Sequence, residues 1–256
     1  MLDKFRAAKQ PEIEALREEF LAGNIPAKYE GKRPSFSGAL RAKGPGAVIA
    51  EFKPASPSRG VLREHANPLD FAQAYAENGA AAMSVLTESQ YFKGHPDYLF
   101  MCAQSGLPLL RKDFILDPLQ VAMTASSPAS AILLIARMFG STHELRELIQ
   151  LAEMAGLEPV VEIFDEQDLE ASREAGATII QVNNRDLNTL TTTLDVSRRL
   201  MDRRDNELWI SASGVESREQ VVEMGELGFD AVLIGTSLML ADDPGALLAR
   251  LTGADA

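Results

Sequence analysis

A single cysteine, Cys102, stands in 256 residues. That excludes an internal disulfide and any zinc site built from several thiolates. Histidine is nearly as scarce. His65, His95 and His143 fall in loop-like stretches or at helix starts and share no ligand spacing, so no metal, no cofactor and no histidine catalysis is expected. No apolar run approaches the ~18 residues of a membrane span. The charged opening "MLDKFRAAKQPEIEALREEF" lacks the apolar middle of a secretory signal. Cations are outnumbered, 25 Lys and Arg against 37 Asp and Glu, for a net charge of −12. Such a surface repels nucleic acid and anionic membrane. A cytoplasmic protein is expected, a monomer or weak homodimer acting on a small molecule. No G-x-G-x-x-G follows any strand-like run, which counts against a doubly wound dinucleotide-binding sheet.

What is present is a regular alternation. Apolar residues make up 46% of the chain, enough for a sizeable core. Strand-like runs lie at 47–53, 81–87, 107–112, 130–136, 158–164, 178–183, 207–213 and 230–236. Helical stretches separate them and carry start signals. Asp117-Pro118 and Asp243-Pro244 each set a cap before a first-turn proline, and Ser141/Glu144 and Ser217/Gln220 have capping-box spacing. Several of these helices stop at a glycine just before the next strand. Apolar strands alternating with helices imply parallel pairing and right-handed crossovers. Eight such units in one chain of this size point to an α/β fold, a (β/α)8 TIM barrel, over an open doubly wound sheet. Residues 1–256 then form a single barrel domain. Residues 1–45, with "PEIEALREEFLAG", add an N-terminal helical extension covering the barrel mouth. Cys102 and Trp209 are expected in the core.

In a parallel barrel the substrate meets the C-terminal ends of the strands. Side chains two apart share a face. Glu51 and Lys53 therefore belong together, as do Leu110, Lys112 and Phe114, then Val160, Glu162 and Phe164, then Gln181 and Asn183. The last two strands finish in Ser213-Gly214 and Gly235-Thr236, where barrels bind phosphate through backbone N–H groups and hydroxyls. One Glu–Lys pair at a strand end is usually a solvated ion pair. Four charged groups at the same end of three strands point instead to chemistry, because buried charge is costly unless paired.

The stretches "IAEFKPASPSRG", "SVLTESQYFKG", "LLRKDFILDPLQ", "VVEIFDEQDL", "VNNRDLNTL" and "LIGTSLM" resemble the indole-3-glycerol phosphate synthase family, in this order and over nearly the whole chain. The resemblance implies a (β/α)8 barrel with an N-terminal extension. It also implies ring closure of a carboxyphenylamino-deoxyribulose 5-phosphate with loss of CO2 and water, without metal or cofactor. By the same resemblance Lys112 is the general acid, and Glu162 an acid or base in the later dehydration. Lys53 faces the substrate carboxylate or shares the proton donation, and Glu51 orients groups. Asn183 holds sugar hydroxyls or Glu51. Ser213, Gly214, Gly235 and Thr236 bind phosphate with help from Ser56, and Arg185 of the "NNRDL" stretch joins the substrate-binding set. Phe92, Phe114 and Leu133 form an apolar wall for the aromatic ring.

Three stretches depart from the family pattern. Its strand-seven ending E-S-G reads Ala212-Ser213-Gly214, so a carboxylate is missing, and strict alternation turns Ala212 away from Ser213. "QVNN" replaces I-G-I-N and reads as a packing variant, as does "SSPAS". The missing carboxylate motivates an alternative reading, a catalytically impaired substrate-binding barrel with a regulatory or partner-binding role. A related enzyme for another sugar phosphate is the third.

Overall fold

The computed structural model describes residues 2–24, 26–187 and 189–254. Ten strands follow the chain: β1 (Ala47–Phe52), β2 (Ala55–Ser56), β3 (Gly60–Val61), β4 (Ala82–Leu86), β5 (Leu109–Lys112), β6 (Ala131–Ile135), β7 (Glu158–Ile163), β8 (Ile179–Asn183), β9 (Leu208–Ala212) and β10 (Ala231–Ile234). Eight of them close into a barrel in the order β1-β10-β9-β8-β7-β6-β5-β4. Every barrel strand falls inside one of the eight runs read from the sequence. The exceptions are β2 and β3, an antiparallel ribbon formed by the loop after β1.

The parity of the strands sorts the core into two clusters. Ala47 and Ile49, Leu110, Leu133, Val160, Ile210 and Leu233 point inward and share a cluster inside the barrel. Their neighbours Val48, Ala50, Phe52, Val161, Trp209 and Val232 point outward into the layer shared with the surrounding helices. Caps form where residue types favour them. Asp117 with Gln120 and Ser217 with Gln220 make reciprocal capping boxes. Asp243 accepts from the Ala246 N–H ahead of Pro244. At Ser141 the hydroxyl caps the Glu144 N–H, but the Glu144 carboxylate turns to the Gly140 N–H, one residue further back.

Before β1 come two helices, α1 (Leu2–Leu21) and α2 (Phe36–Lys43). They serve opposite ends of the barrel. On α1, Phe5, Lys9 and Ile13 fall four apart and form its buried face. The Phe5 ring stacks on Phe114 at 4.2 Å, and Lys9 Nζ meets Asp113 Oδ1 at 2.6 Å. This docking carries the helix through Pro11, which would weaken an isolated helix. At the other end, Phe36 and Leu40 of α2 are fully buried and belong to the cluster inside the barrel. The start of α2 is fixed by Glu158, the first residue of β7. Its carboxylate accepts from the Phe36 N–H at 2.6 Å and the Ser37 N–H at 2.9 Å. An anion on exposed helix N–H groups stabilises that terminus. Glu158→Ala is therefore expected to lower stability by about 1–2 kcal/mol, read from the urea midpoint. Turnover should not change, because Glu158 lies at the end of the barrel away from the cavity described next.

Candidate active site

The C-terminal ends of the strands surround a cavity of about 370 Å³. Glu51 and Lys53, Lys112, Glu162 and Asn183 line it, together with Ser213, Gly214, Gly235 and Thr236, and so do Ser56, Phe92, Phe114, Leu133 and Arg185. These residues thus share one space, while Leu110, Val160, Phe164 and Gln181, also singled out in the sequence, do not line it.

Its acid–base end is a charge cluster at the tops of β1, β5, β7 and β8. Glu51 is buried, 2% exposed. Its Oε1 lies 2.8 Å from Lys53 Nζ, and its Oε2 accepts from Ser84 Oγ at 3.2 Å and faces Lys112 Nζ at 3.5 Å. Glu162 flanks Lys112 on the other side, with Oε2 at 3.9 Å from Nζ. Burial alone would push the Glu51 carboxyl up, but the Lys53 and Lys112 charges outweigh it and hold the group at about 2. Burial likewise works against the Lys112 ammonium, and the Glu51 and Glu162 carboxylates reverse it, so Lys112 stays above the ordinary lysine range. Both groups are therefore charged across neutral pH.

Asn183 does not bond to Glu51, one of the two partners expected for it. Its Nδ2 donates to Glu162 Oε1 at 3.1 Å, and its Oδ1 accepts from the Arg185 N–H. Glu51 is instead satisfied by two lysines and Ser84, because the parallel register sets Ser84 of β4 beside Glu51 of β1. Phe164 departs as well. It follows the last residue of β7, lies beneath the Arg137 guanidinium at 4.3 Å, and is not part of the cavity wall.

The other end suits an anion. β9 ends at Ala212, and Ser213 takes a left-handed backbone, φ 69°, followed by Gly214 at φ 89°. The side chain of Asn184 fixes this bend by donating to the Ala212 and Ser213 carbonyls, each at 3.1 Å. The bend breaks the alternation, so Ala212, Ser213 and Gly214 all line the cavity. Gly235 precedes the short helix Thr236–Leu240, whose first turn has no side-chain cap. A Cβ on Gly235 would lie 2.5 Å from Glu51 Oε1, so this glycine also makes room for the buried carboxylate. Arg59, from the β2–β3 turn, and Arg185 both reach the cavity. Burial lowers the Arg185 pKa, and the nearby Arg59 charge lowers it further. The Glu216 and Glu51 carboxylates act the other way and raise it.

Between the two ends stands an aromatic wall. Phe92, Phe114 and Leu133 line it, and Phe5 of α1 joins them. Phe92 is placed by Glu88, whose carboxylate accepts from the backbone N–H groups of Gln90, Tyr91 and Phe92. The sequence reading passed over Phe5, Arg59, Ser84, Glu88 and Ser237. Ser84 carried a usable signal, a polar side chain at an inward position of an apolar strand, as Gln181 did beside Asn183.

The fold and this cavity define a (β/α)8-barrel enzyme with paired lysines and carboxylates at one end of its mouth and glycine turns with two arginines at the other. The model of the indole-3-glycerol phosphate synthase family matches residues 2–251, and the chain belongs to that family. It is 46% identical to the indole-3-glycerol phosphate synthase of Carboxydothermus hydrogenoformans, over 81% of this chain and 79% of the relative. It is 42% identical to that of Polaromonas naphthalenivorans and 40% to that of a Roseiflexus species, each over 99% of this chain and 98% of the relative. Among solved structures it resembles the 3-hexulose-6-phosphate synthase of Salmonella typhimurium, with TM-score 0.65, 15% identity and coverage of 81% and 97% of the two chains. It also resembles a mutant tryptophan synthase α-subunit of Pyrococcus furiosus, with TM-score 0.61, 14% identity and coverage of 82% and 99%. At those identities the likeness is one of fold.

The charge cluster makes a prediction that needs no substrate. In a carboxyl-carbon NMR titration, Glu51 should titrate at about 2, and Lys53→Met should move it upward, because losing a neighbouring cation favours the neutral acid. The folded value is the lower one, so the stabilisation is present above the ordinary value of 4.5 and is lost as pH falls toward about 2. A Glu51 titration unmoved by Lys53→Met contradicts the assigned cause.

Proposed function

We propose that this chain converts 1-(2-carboxyphenylamino)-1-deoxy-D-ribulose 5-phosphate into indole-3-glycerol phosphate, releasing CO2 and water. The observation that carries the proposal is the placement of Lys112. Its ammonium sits between two carboxylates and opens into a cavity with an aromatic wall and a separate anion site.

In this reading the substrate phosphate lies against Ser213, Gly214, Gly235 and Thr236, with Ser56 and Arg185 beside them. The carboxyphenyl ring rests on Phe92, Phe114 and Leu133, and its carboxylate faces Lys53. The ring carbon bearing the carboxylate attacks the ribulose carbonyl. A carbon–carbon bond forms, and the carbonyl oxygen takes a proton from Lys112, which stabilises the developing negative charge. The carboxylate then leaves as CO2, and its bonding electrons restore the aromatic ring. Dehydration follows. The new hydroxyl departs as water with a proton from the enzyme, and Glu162 removes a proton from the adjacent CH2 to complete the indole. Asn183 holds Glu162 for this step, and Glu51 holds both lysines. Ala212 leaves these contacts in place, which favours an active enzyme over a binding relic.

The surroundings proposed for this activity are the cytoplasm, with the chain a monomer or weak homodimer whose partner is a small phosphorylated molecule and neither nucleic acid nor membrane. The lone Cys102 is buried, and burial pushes its thiol up to about 12, which keeps it protonated and unreactive. No helix among the described residues is long and apolar enough to cross a membrane.

The test is turnover by the purified protein, followed through indole fluorescence. Lys112→Ala should lower kcat by ~10²–10⁴-fold with an unchanged circular dichroism spectrum. Near-full turnover in that variant removes Lys112 from its role. Glu51→Gln should retain measurable turnover with the basic limb of its kcat/KM profile moved to lower pH. Glu51 raises the Lys112 pKa, so neutralising it brings the proton donor down. A basic limb that stays in place assigns the acid to another group.

A further inference from the structure

Gln181 reads from sequence as a packing variant, and the structure gives it a different environment. It lies on β8, directly opposite Glu162 of β7 on one side and Ile210 of β9 on the other. It is fully buried and stands one inward position below Asn183, outside the cavity wall. Its Nε2 donates to Glu162 Oε2 at 2.6 Å, while Asn183 Nδ2 donates to Oε1 at 3.1 Å. Each oxygen of the carboxylate is thus held by its own amide, and the group cannot rotate without losing one of them.

Gln181 Oε1 has no hydrogen-bond partner. A buried acceptor left unpaired costs about 1–3 kcal/mol. Turning the amide over would give that oxygen no relief, since it would set an acceptor against Glu162 Oε2. An apolar residue at this inward position would avoid the cost entirely. The side chain is therefore poorly explained by packing and well explained by the oxygen it holds.

That oxygen is the one nearest Lys112. Glu162 Oε2 and Lys112 Nζ are 3.9 Å apart, beyond the ~2.7–2.9 Å of a charge-assisted hydrogen bond. A free glutamate beside a lysine closes that gap. Here the short bond goes to a neutral amide, and Glu162 acts on the ammonium by field instead of by contact. Position 212, opposite Asn183 in the ladder, is alanine and supplies no further carboxylate. Lys112 therefore depends on Glu51 and Glu162 alone, and the placement of Glu162 decides how free its protons are.

We propose that Gln181 is a positioning residue: it pins Glu162 away from Lys112, so that the ammonium stays available to the substrate carbonyl. This rests on the reaction assigned above, and the experiment separates the two. Gln181→Met keeps the side-chain length and removes the donor, and Gln181→Leu substitutes for it where the methionine variant does not fold. In a crystal structure of the variant, the Glu162–Lys112 separation should close to below about 3.2 Å. In the fluorescence assay kcat should fall roughly 10- to 100-fold, with KM changed less than about threefold, as expected when an interaction realised in the transition state is lost. In a Glu162→Gln background the same substitution should cost nothing further, the mark of two residues acting through one contact. A Glu162–Lys112 separation that stays near 3.9 Å overturns the proposal, and this arm decides it even where the wild type fails to turn over the substrate, a result that sinks the assigned reaction. An equal loss of kcat with and without Glu162 also overturns it and leaves Gln181 a structural role.

Discussion

The site is organised around one buried carboxylate. Glu51 sits at the top of β1 with almost no contact with water, where an unpaired charge costs several kcal/mol. Lys53, Lys112 and Ser84 hold it from three directions, two of them on other strands. The barrel must close with β1 between β4 and β10 for those partners to arrive. β10 must in turn end in glycine, because any Cβ at position 235 would occupy the space of the Glu51 carboxylate. The same glycine starts the helix turn at the anion end. One steric constraint thus joins the acid–base cluster to the anion site.

A second buried charge group ties the N-terminal extension to β5. Arg111 and Asp113 lie either side of Lys112; parity sends Arg111 outward while Lys112 points in, and Asp113 follows the last residue of the strand. Asp113 Oδ2 receives Arg111 at 3.0 Å, and its Oδ1 meets Lys9 of α1 at 2.6 Å. Burial would raise the Asp113 pKa, but the Arg111 and Lys9 charges outweigh it and hold it below the carboxylate range. Phe5, one turn earlier on α1, lies on Phe114 in the cavity wall. Three consecutive residues of β5 and its end therefore do separate jobs. Lys112 faces the cavity, Asp113 anchors the extension, and Phe114 meets the ring that the extension brings.

Parity made most of this legible in the chain. Two-residue alternation places Glu51, Lys53, Lys112, Glu162 and Asn183 at the mouth, and glycine pairs mark the anion end. It fails where the backbone leaves the strand. Ser213 is left-handed, so Ala212 and Ser213 face the same cavity despite adjacent positions. Phe164 lies past the end of β7 and turns to Arg137. Parity also cannot say which polar group a side chain chooses. Asn183 could reach toward either carboxylate, and the ladder pairing β7 with β8 decides for Glu162. Phe5 was out of reach for another reason, since no alternation rule links a helix outside the sheet to the strands beneath it.

The cluster is also balanced. Glu51 and Glu162 against Lys53 and Lys112 sum to no net charge, with Asn183, Gln181 and Ser84 filling the remaining contacts as neutral groups. A substrate bearing a carboxylate at one end and a phosphate at the other brings its own negative charge into that balance. A third carboxylate at position 212 would add to the negative side of that balance, and alanine adds nothing. On a chain of net charge −12, attraction for such a substrate has to be local. In the proposed reading Arg59 and Arg185 supply it at one end, and Lys53 and Lys112 at the other.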